Sequence, residues 1–317
     1  MNASVSNSIA GAGMLTVRAA LQDAIARLSA AEVPSHTLAA ELLLMSVLQR
    51  DRAWLYGHPE FELDAAAAGK YFELIARRES GVPTQYLTGK QEFWGLEFEV
   101  TPDVLIPRPE TEHVVEVALD RLGERGIKIN MKTGAPSPVL HVADVGTGSG
   151  CLAVALAHEL PHAEIIASDI SAPALDVARR NATRHAVSAR IRFVQANLLG
   201  CFSHESQITS HESHLFDLIV SNPPYIARDD APSLPAEVRD HEPHSALFGG
   251  PTGVETYAQL IEQAGAFLPP GGILVLELGY NSADAVRKML HAQQHWANIS
   301  VTDDLAGTPR VIAAERV

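Results

Sequence analysis

The residues best placed to do chemistry are Ser221-Asn222-Pro223-Pro224-Tyr225. Two consecutive prolines fix the backbone and remove two N–H donors, so the Pro223 carbonyl is left as an outward-pointing acceptor beside the Asn222 side-chain oxygen. Two acceptors held rigidly together are complementary to an NH₂ group, and Tyr225 supplies a flat wall on which a planar amide or base can lie. A second segment, Asp144-Val145-Gly146-Thr147-Gly148-Ser149-Gly150, opens directly into the apolar helix pattern Cys151–Leu156. Glycines at the end of a strand let the backbone approach a ligand closely at the carboxyl edge of a sheet. Their G-x-G-x-G spacing differs from the G-x-G-x-x-G of a dinucleotide turn and points to a nucleoside with an amino-acid tail. Asp169 lies about 20 residues past the first glycine, where a carboxylate can accept hydrogen bonds from both ribose hydroxyls. It could instead cap the helix that follows, a task Ser171 can also perform. Asn197-Leu198 follows the next strand, where an adenine edge would lie, and an asparagine offers that edge both a donor and an acceptor.

These segments need a sheet to position them, and the hydrophobic pattern provides one. Val139–Val145, Ile165–Ser168, Ile191–Val194, Leu215–Ser221 and Ile273–Leu278 read as strands, with Cys151–Glu159, Ala172–His185 and Val254–Phe267 as helices between them. Near-continuous apolar strands alternating with helices are what a parallel sheet covered on both faces requires. A helix over Asp284–His291 and strands at Ile299–Val301 and Val311–Ala314 complete the pattern. The expected class is α/β, a doubly wound sheet with a helical domain in front.

That front domain is expected over residues 14–90, after a disordered lead-in at 1–13 that leaves Met14 as a candidate start. Val17, Leu21, Ala24, Ile25 and Leu28 recur at helical spacing. Ser35 is expected to cap a helix with the apolar face Leu38, Leu42, Met45 and Leu48, and Asp64 one with Ala67, Ala68, Tyr71, Leu74 and Ile75. Residues 91–109 read as a hairpin and Pro-rich connector, and 110–317 as the sheet domain, with a helix from Glu110 to about Leu122 and a polar linker at Asn130–Pro138.

Composition narrows the function classes. The chain has 317 residues, 46% of them hydrophobic, with 24 Lys/Arg against 38 Asp/Glu. Residues 1–90 hold 8 and 9 of these, which leaves 16 and 29 to residues 91–317, a balance that argues against a phosphate-binding face. No apolar run reaches the roughly 20 residues of a membrane span, and no basic residue precedes Arg18 to begin a secretory signal. Two cysteines cannot build a disulfide framework, so a cytoplasmic location is expected. The His-rich stretch Ser203–His214, with His204, His211 and His214, lacks the H-E-x-x-H spacing of a zinc hydrolase; it is expected to be a solvated loop, and no metal is expected.

Taken together, the glycine loop and N-P-P-Y resemble an S-adenosylmethionine-dependent amino-methyltransferase. From about residue 14 the chain resembles the bacterial peptide chain release factor glutamine N5-methyltransferases, on further blocks: Gly81-Val82-Pro83-Thr84-Gln85-Tyr86-Leu87-Thr88-Gly89, Glu92-Phe93-Trp94-Gly95, Leu105-Ile106-Pro107-Arg108-Pro109-Glu110-Thr111-Glu112, Glu242-Pro243, Gly249-Gly250 and Gly271-Gly272. The I-P-R-P-E-T-E block is the most specific, because N-P-P-Y also occurs in adenine N6 methyltransferases. The resemblance implies a Rossmann-like fold and methylation of the glutamine of the Gly-Gly-Gln loop in class I release factors, with S-adenosylhomocysteine as product. It implies that Gly146, Thr147, Gly148, Ser149 and Gly150 seat the methionine tail, Asp169 the ribose and Asn197-Leu198 the adenine. Asn222, Pro223, Pro224 and Tyr225 would hold the reacting amide, Asn222 also bordering the cofactor, while residues 14–90 would recognise the substrate protein. The Arg108–Glu112 segment is implied to lie near the cofactor. The family usually carries an acidic residue where Asn197 stands. The alternatives are an adenine N6 methyltransferase acting on nucleic acid, which would expect a basic groove, a glutamine methyltransferase acting on a ribosomal protein, and a cofactor-binding scaffold without turnover.

Overall fold

The computed structural model describes residues 15–126, 139–200 and 216–317, and the chain divides after Gly89 into two compact units. The expected lead-in, the 130–138 linker and the His-rich stretch lie outside the described residues.

The first unit holds α1 (Val17–Ala30), α2 (His36–Leu48), α3 (Arg52–Gly57), α4 (Ala65–Glu79) and α5 (Thr84–Thr88). Three starts are capped by side chains: Thr16 Oγ1 accepts from Ala19 N (3.2 Å), Asp51 Oδ1 from Trp54 N and Asp64 Oδ1 from Ala67 N (both 2.7 Å). Val17, Ala24 and Leu28 of α1, Leu43 and Leu44 of α2 and Tyr71 and Ile75 of α4 share one core. Two expectations need correction here. Ser35 has a left-handed backbone (φ 49°) and makes no capping bond. The buried face of α2 is Ala39, Ala40, Leu43 and Leu44, while Leu38 is 45% exposed. This helix is apolar nearly all round, so periodicity cannot fix its rotation. Packing does: its small residues face the core, and the Tyr71 hydroxyl donates to the Ala40 carbonyl at 3.1 Å.

The second unit begins with a hairpin, β1 (Lys90–Phe93) and β2 (Leu96–Glu99), turned by Trp94 and Gly95 with φ of 55° and 69°. A 3₁₀ turn at Pro109–Thr111 precedes α6 (Glu112–Glu124), so the helix expected from Glu110 begins two residues later. There follow β3 (Leu140–Val145), α7 (Cys151–Glu159), β4 (Ala163–Asp169), α8 (Ala172–Arg184), β5 (Ile191–Gln195), β6 (Leu218–Ser221), β7 (Ile226–Ala227), α9 (Ala236–His241), α10 (His244–Leu247), β8 (Phe248–Gly250), α11 (Glu255–Phe267), β9 (Ile273–Glu277), α12 (Ala283–Ala292), β10 (Trp296–Asp303) and β11 (Pro309–Arg316). Seven strands form one sheet in the order β10-β11-β9-β6-β3-β4-β5. The run from β9 to β5 is parallel, while β10 and β11 form an antiparallel edge.

The fold is thus the doubly wound, Rossmann-like sheet expected, with a helical unit before it. Alternate strand residues feed two cores: Val142, Val220 and Val275 pack with α6 and α7, and Ala143, Val145, Ile219 and Leu274 with α11 and α12. From β3 the chain moves outward through β4 to β5, then returns to the other side of β3 as β6. The carboxyl ends of β3 and β6 therefore flank the point where the winding reverses, the crevice in which such sheets bind ligands.

Candidate active site

The glycine loop leaves β3 with Gly146, Gly148 and Gly150 all in the left-handed region, φ 74°, 54° and 83°. A Cβ added at Gly146 or Gly148 would meet no atom within 4 Å, and both residues line a cavity of about 240 Å³. Gly150 serves differently, because its Cβ would come within 3.1 Å of Ala178 Cβ on α8. The first two glycines leave room for a ligand and the third lets two helices approach. Asp144 fastens the loop from below: its Oδ2 accepts from Thr147 Oγ1 at 2.6 Å and from Ala153 N at 3.0 Å. Burial pushes this carboxyl up to about 7, against those two donors, and among the described residues Oδ1 is buried with no hydrogen-bond partner. Thr147 and Ser149 are likewise buried and are not among the residues that line the cavity; the Thr147 side chain instead holds Asp144.

Asp169 closes β4 and also lines the cavity. One oxygen accepts from Gly148 N and the other from Ser171 N, both at 2.9 Å, and each retains a lone pair for a ligand hydroxyl. Burial raises its carboxyl, opposed by the N–H groups of Ser171, Gly148 and Ile170. The α8 cap is Ser171, whose Oγ accepts from Ala174 N at 3.2 Å, so Asp169 is not needed for that task. Asn197 and Leu198 form another part of the wall, Leu198 with φ 52° and Asn197 exposed.

Asn222-Pro223-Pro224-Tyr225 leaves β6 directly opposite, since Ser221 and Val145 are register partners. Asn222 and Pro224 line the cavity, and Pro223 and Tyr225 are their immediate chain neighbours. The Asn222 Nδ2 donates to Thr111 Oγ1 at 3.0 Å, which turns the amide oxygen away from Thr111. Among the described residues no donor engages Asn222 Oδ1 or the Pro223 carbonyl. Three glycines allow the loop to sit where it does. A Cβ at Gly249 would lie 2.4 Å from the Pro224 carbonyl oxygen, at Gly253 2.5 Å from that of Tyr225, and at Gly279 2.5 Å from the Tyr225 ring.

Several participants carried no assigned contact in the sequence. Thr111 sits in the I-P-R-P-E-T-E block and binds Asn222 directly. Glu277, at the end of β9, is only 2% exposed. Burial and the nearby Glu110 push its carboxyl up to about 7, opposed by the Thr111 hydroxyl, Arg310 and the Tyr225 hydroxyl, which donates to Oε1 at 3.4 Å. Burial raises the Tyr225 phenol, and the Glu277 charge adds to this. Arg108 forms an ion pair with Glu242, whose other oxygen accepts from Ile106 N at 3.3 Å. That pair ties the I-P-R-P-E-T-E block to the Glu242-Pro243 turn, and Leu105 and Pro243 then form neighbouring parts of the cavity wall. Among the described residues no group of His, Cys, Asp and Glu is arranged to hold a metal ion.

Comparison with known proteins gives matches along the chain. The family model of the PrmC N-terminal domain matches residues 19–89, and that of the methyltransferase small domain residues 130–234. A release factor glutamine methyltransferase of Koribacter versatilis is 42% identical over 302 residues, covering 95% of this chain and 99% of the relative. One from Moorella thermoacetica shows the same identity and coverage. Among solved structures, the catalytic domain of hMettl16 in complex with a MAT2A 3′UTR hairpin covers 77% of this chain and 82% of its own, with a TM-score of 0.52 and 16% identity. That last likeness is one of fold.

Proposed function

The chain belongs to the release factor glutamine methyltransferases, and we propose that its cavity is where the side-chain amide nitrogen of a release-factor glutamine is methylated. The enzyme is S-adenosylmethionine-dependent. When bound, that cofactor supplies an electrophilic methyl group on a sulfonium sulfur. The glycine cradle, open at Gly146 and Gly148, and the Asp169 carboxylate suit its amino-acid tail and ribose, with Asn197-Leu198 at the adenine.

An amide nitrogen is a poor nucleophile, because its lone pair is delocalised into the carbonyl. Asn222 Oδ1 and the Pro223 carbonyl accept its two N–H groups, hold the nitrogen in line with the methyl group and keep competing orientations out. As the new N–C bond forms, positive charge develops on nitrogen, and two fixed acceptors favour that charge. The proton then leaves a nitrogen that has become acidic, so no dedicated base is needed. Tyr225 backs the planar amide.

The observation that carries this reading is the orientation of Asn222, nitrogen toward Thr111 and oxygen without a donor among the described residues, at the reversal point of the sheet. The substrate is the glutamine of the Gly-Gly-Gln loop of class I release factors, and the N-terminal helical unit is a second docking surface for that protein. The acidic balance of residues 91–317 supports a protein substrate over nucleic acid, and among the described residues no helix is long and apolar enough to cross a membrane. The site of action is the cytoplasm, where release factors work. Incubating the enzyme with a release factor and labelled cofactor should place one methyl group on that glutamine by mass spectrometry. Label appearing on adenine in added nucleic acid, with none on the release factor, would overturn the reading.

A further inference from the structure

We propose that Thr111 and Glu277 are positioning residues that decide which end of the Asn222 amide faces the reacting nitrogen. The inference rests on the functional reading above. The oxygen and nitrogen of an asparagine amide have nearly the same shape, so packing alone cannot tell them apart, whereas hydrogen bonds can. The distinction matters because an amide turned the other way would aim its NH₂ at the substrate NH₂. Donor would then meet donor, and the nitrogen would be repelled where it should be held.

The structure contains a relay that sets the choice. Asn222 Nδ2 lies 3.0 Å from Thr111 Oγ1 as donor, so the hydroxyl accepts there and its single hydrogen must be directed elsewhere. The Thr111 hydroxyl favours the charged form of the nearby Glu277 carboxyl. An ionised carboxylate accepts only. It therefore draws the Thr111 hydrogen away from Asn222, and the Tyr225 hydroxyl donates into the same group. Among the described residues Glu277 Oε2 is buried with no hydrogen-bond partner, a costly arrangement for a residue serving only to fill space. Glu277 is fixed by the last position of β9, and Thr111 by the 3₁₀ turn ahead of α6.

Protonation of Glu277 reverses the logic. A neutral carboxyl can donate to Thr111, whose hydrogen is then free to bond Asn222 Oδ1 and turn the amide. The charged groups acting on Glu277 are Glu110, which favours its neutral form, and Arg310, which favours its charged form; Arg310 is itself paired with Asp304 at 2.8 Å. The methyl-transfer rate should therefore decline as pH falls through the Glu277 titration.

A double-mutant cycle tests the relay, with release-factor methylation followed in single turnover at saturating cofactor and cofactor affinity measured by calorimetry. Thr111→Val should slow transfer about 10- to 100-fold, the scale of a misplaced reacting group, while cofactor affinity stays unchanged. Thr111→Ser, which keeps the hydroxyl, should restore the rate. On an Asn222→Ala background Thr111→Val should cost almost nothing more, because the group it orients is gone. Glu277→Gln should remove the acid limb of the rate profile. A multiplicative loss in the double variant, a Thr111→Val enzyme as fast as wild type, or an acid limb that survives in Glu277→Gln would overturn the inference. If the wild-type enzyme left the release factor unmethylated, the functional reading itself would fall.

Discussion

The glycine loop and the N-P-P-Y loop leave neighbouring strands at paired positions, Val145 and Ser221, yet they are held by opposite means. The glycine loop is fastened by residues near it in sequence: Asp144 binds Thr147 and Ala153, and Asp169 reaches Gly148 from 21 positions away. Its shape comes from backbone freedom at positive φ. The N-P-P-Y loop is stiff by composition and is held from outside, by a hydrogen bond to Thr111 and by close approach to Gly249, Gly253 and Gly279. A loop that offers its backbone to a ligand has local anchors. A loop that, on the proposed reading, keeps two acceptors unsatisfied for its substrate would not bond itself, and here its support comes from distant segments.

The contrast breaks most clearly at Asn222. Asn222→Ala should reduce single-turnover transfer about 10²–10³-fold while most cofactor affinity survives, as expected for loss of one preorganised polar group. Asn222→Asp keeps an acceptor and should retain more activity than Ala. Asp169→Ala should do the converse, weakening cofactor binding by about 1.5–3 kcal/mol in calorimetry without unfolding the chain. Unchanged affinity would leave Asp169 as a brace for Gly148 and Ser171 alone.

Two glycine substitutions sharpen the comparison at smaller scale. Gly148→Ala places a methyl group in the cavity at φ 54°, with strain of about 1–2 kcal/mol, and should lower cofactor affinity. Gly279→Ala drives a Cβ against the Tyr225 ring and should slow transfer while leaving that affinity intact. Identical profiles for the two variants would mean that the loops act as one unit.

The smallest effect on turnover should come from the buried carboxyl beneath the cradle. Asp144 is held near 7 by burial, well above the usual carboxylate range, so the folded state binds its proton more tightly than the unfolded state. Its contribution to stability is present below about pH 4 and is lost as pH rises through about 7. Ion-paired Glu79 and Glu99, whose carboxyls are lowered chiefly by hydrogen bonds from Arg27 and Arg180, act in the opposite sense at acid pH. Melting temperature should therefore fall less between pH 5 and 8 in Asp144→Asn than in wild type. An equal fall would assign the pH dependence to other groups.

The alternation of strands and helices was legible because buried parallel strands read as short apolar runs, and α7 spans Cys151–Glu159 as its pattern implies. The rotation of α2 was not legible, since an all-apolar helix carries no phase. Nor were β7, α9, α10 and β8, which are short and separated by prolines and whose form depends on what they pack against. In the site, the glycines, Asp169 and Asn222 stood out because strand ends mark the ligand-binding edge. Thr111 was visible only as part of a family block, because no periodicity encodes a contact across 111 positions. Glu277 did leave a signal: it is an acid terminating the apolar run Ile273-Leu274-Val275-Leu276, as Asp169 terminates β4.

The distances along the chain also set an order of assembly. Asn222 reaches Thr111 across 111 positions and Ile106 reaches Glu242 across 136, whereas Gly148 meets Asp169 across 21. Longer loops cost more entropy to close, so contacts of this span are expected to form after the local ones. A refolding chain should recover its sheet and glycine cradle before the acceptor pair is braced. Far-ultraviolet dichroism and cofactor binding should then return ahead of methyl transfer. Mild denaturant should likewise silence the enzyme before it melts the sheet, leaving a population that holds the methyl donor and has nowhere to deliver it.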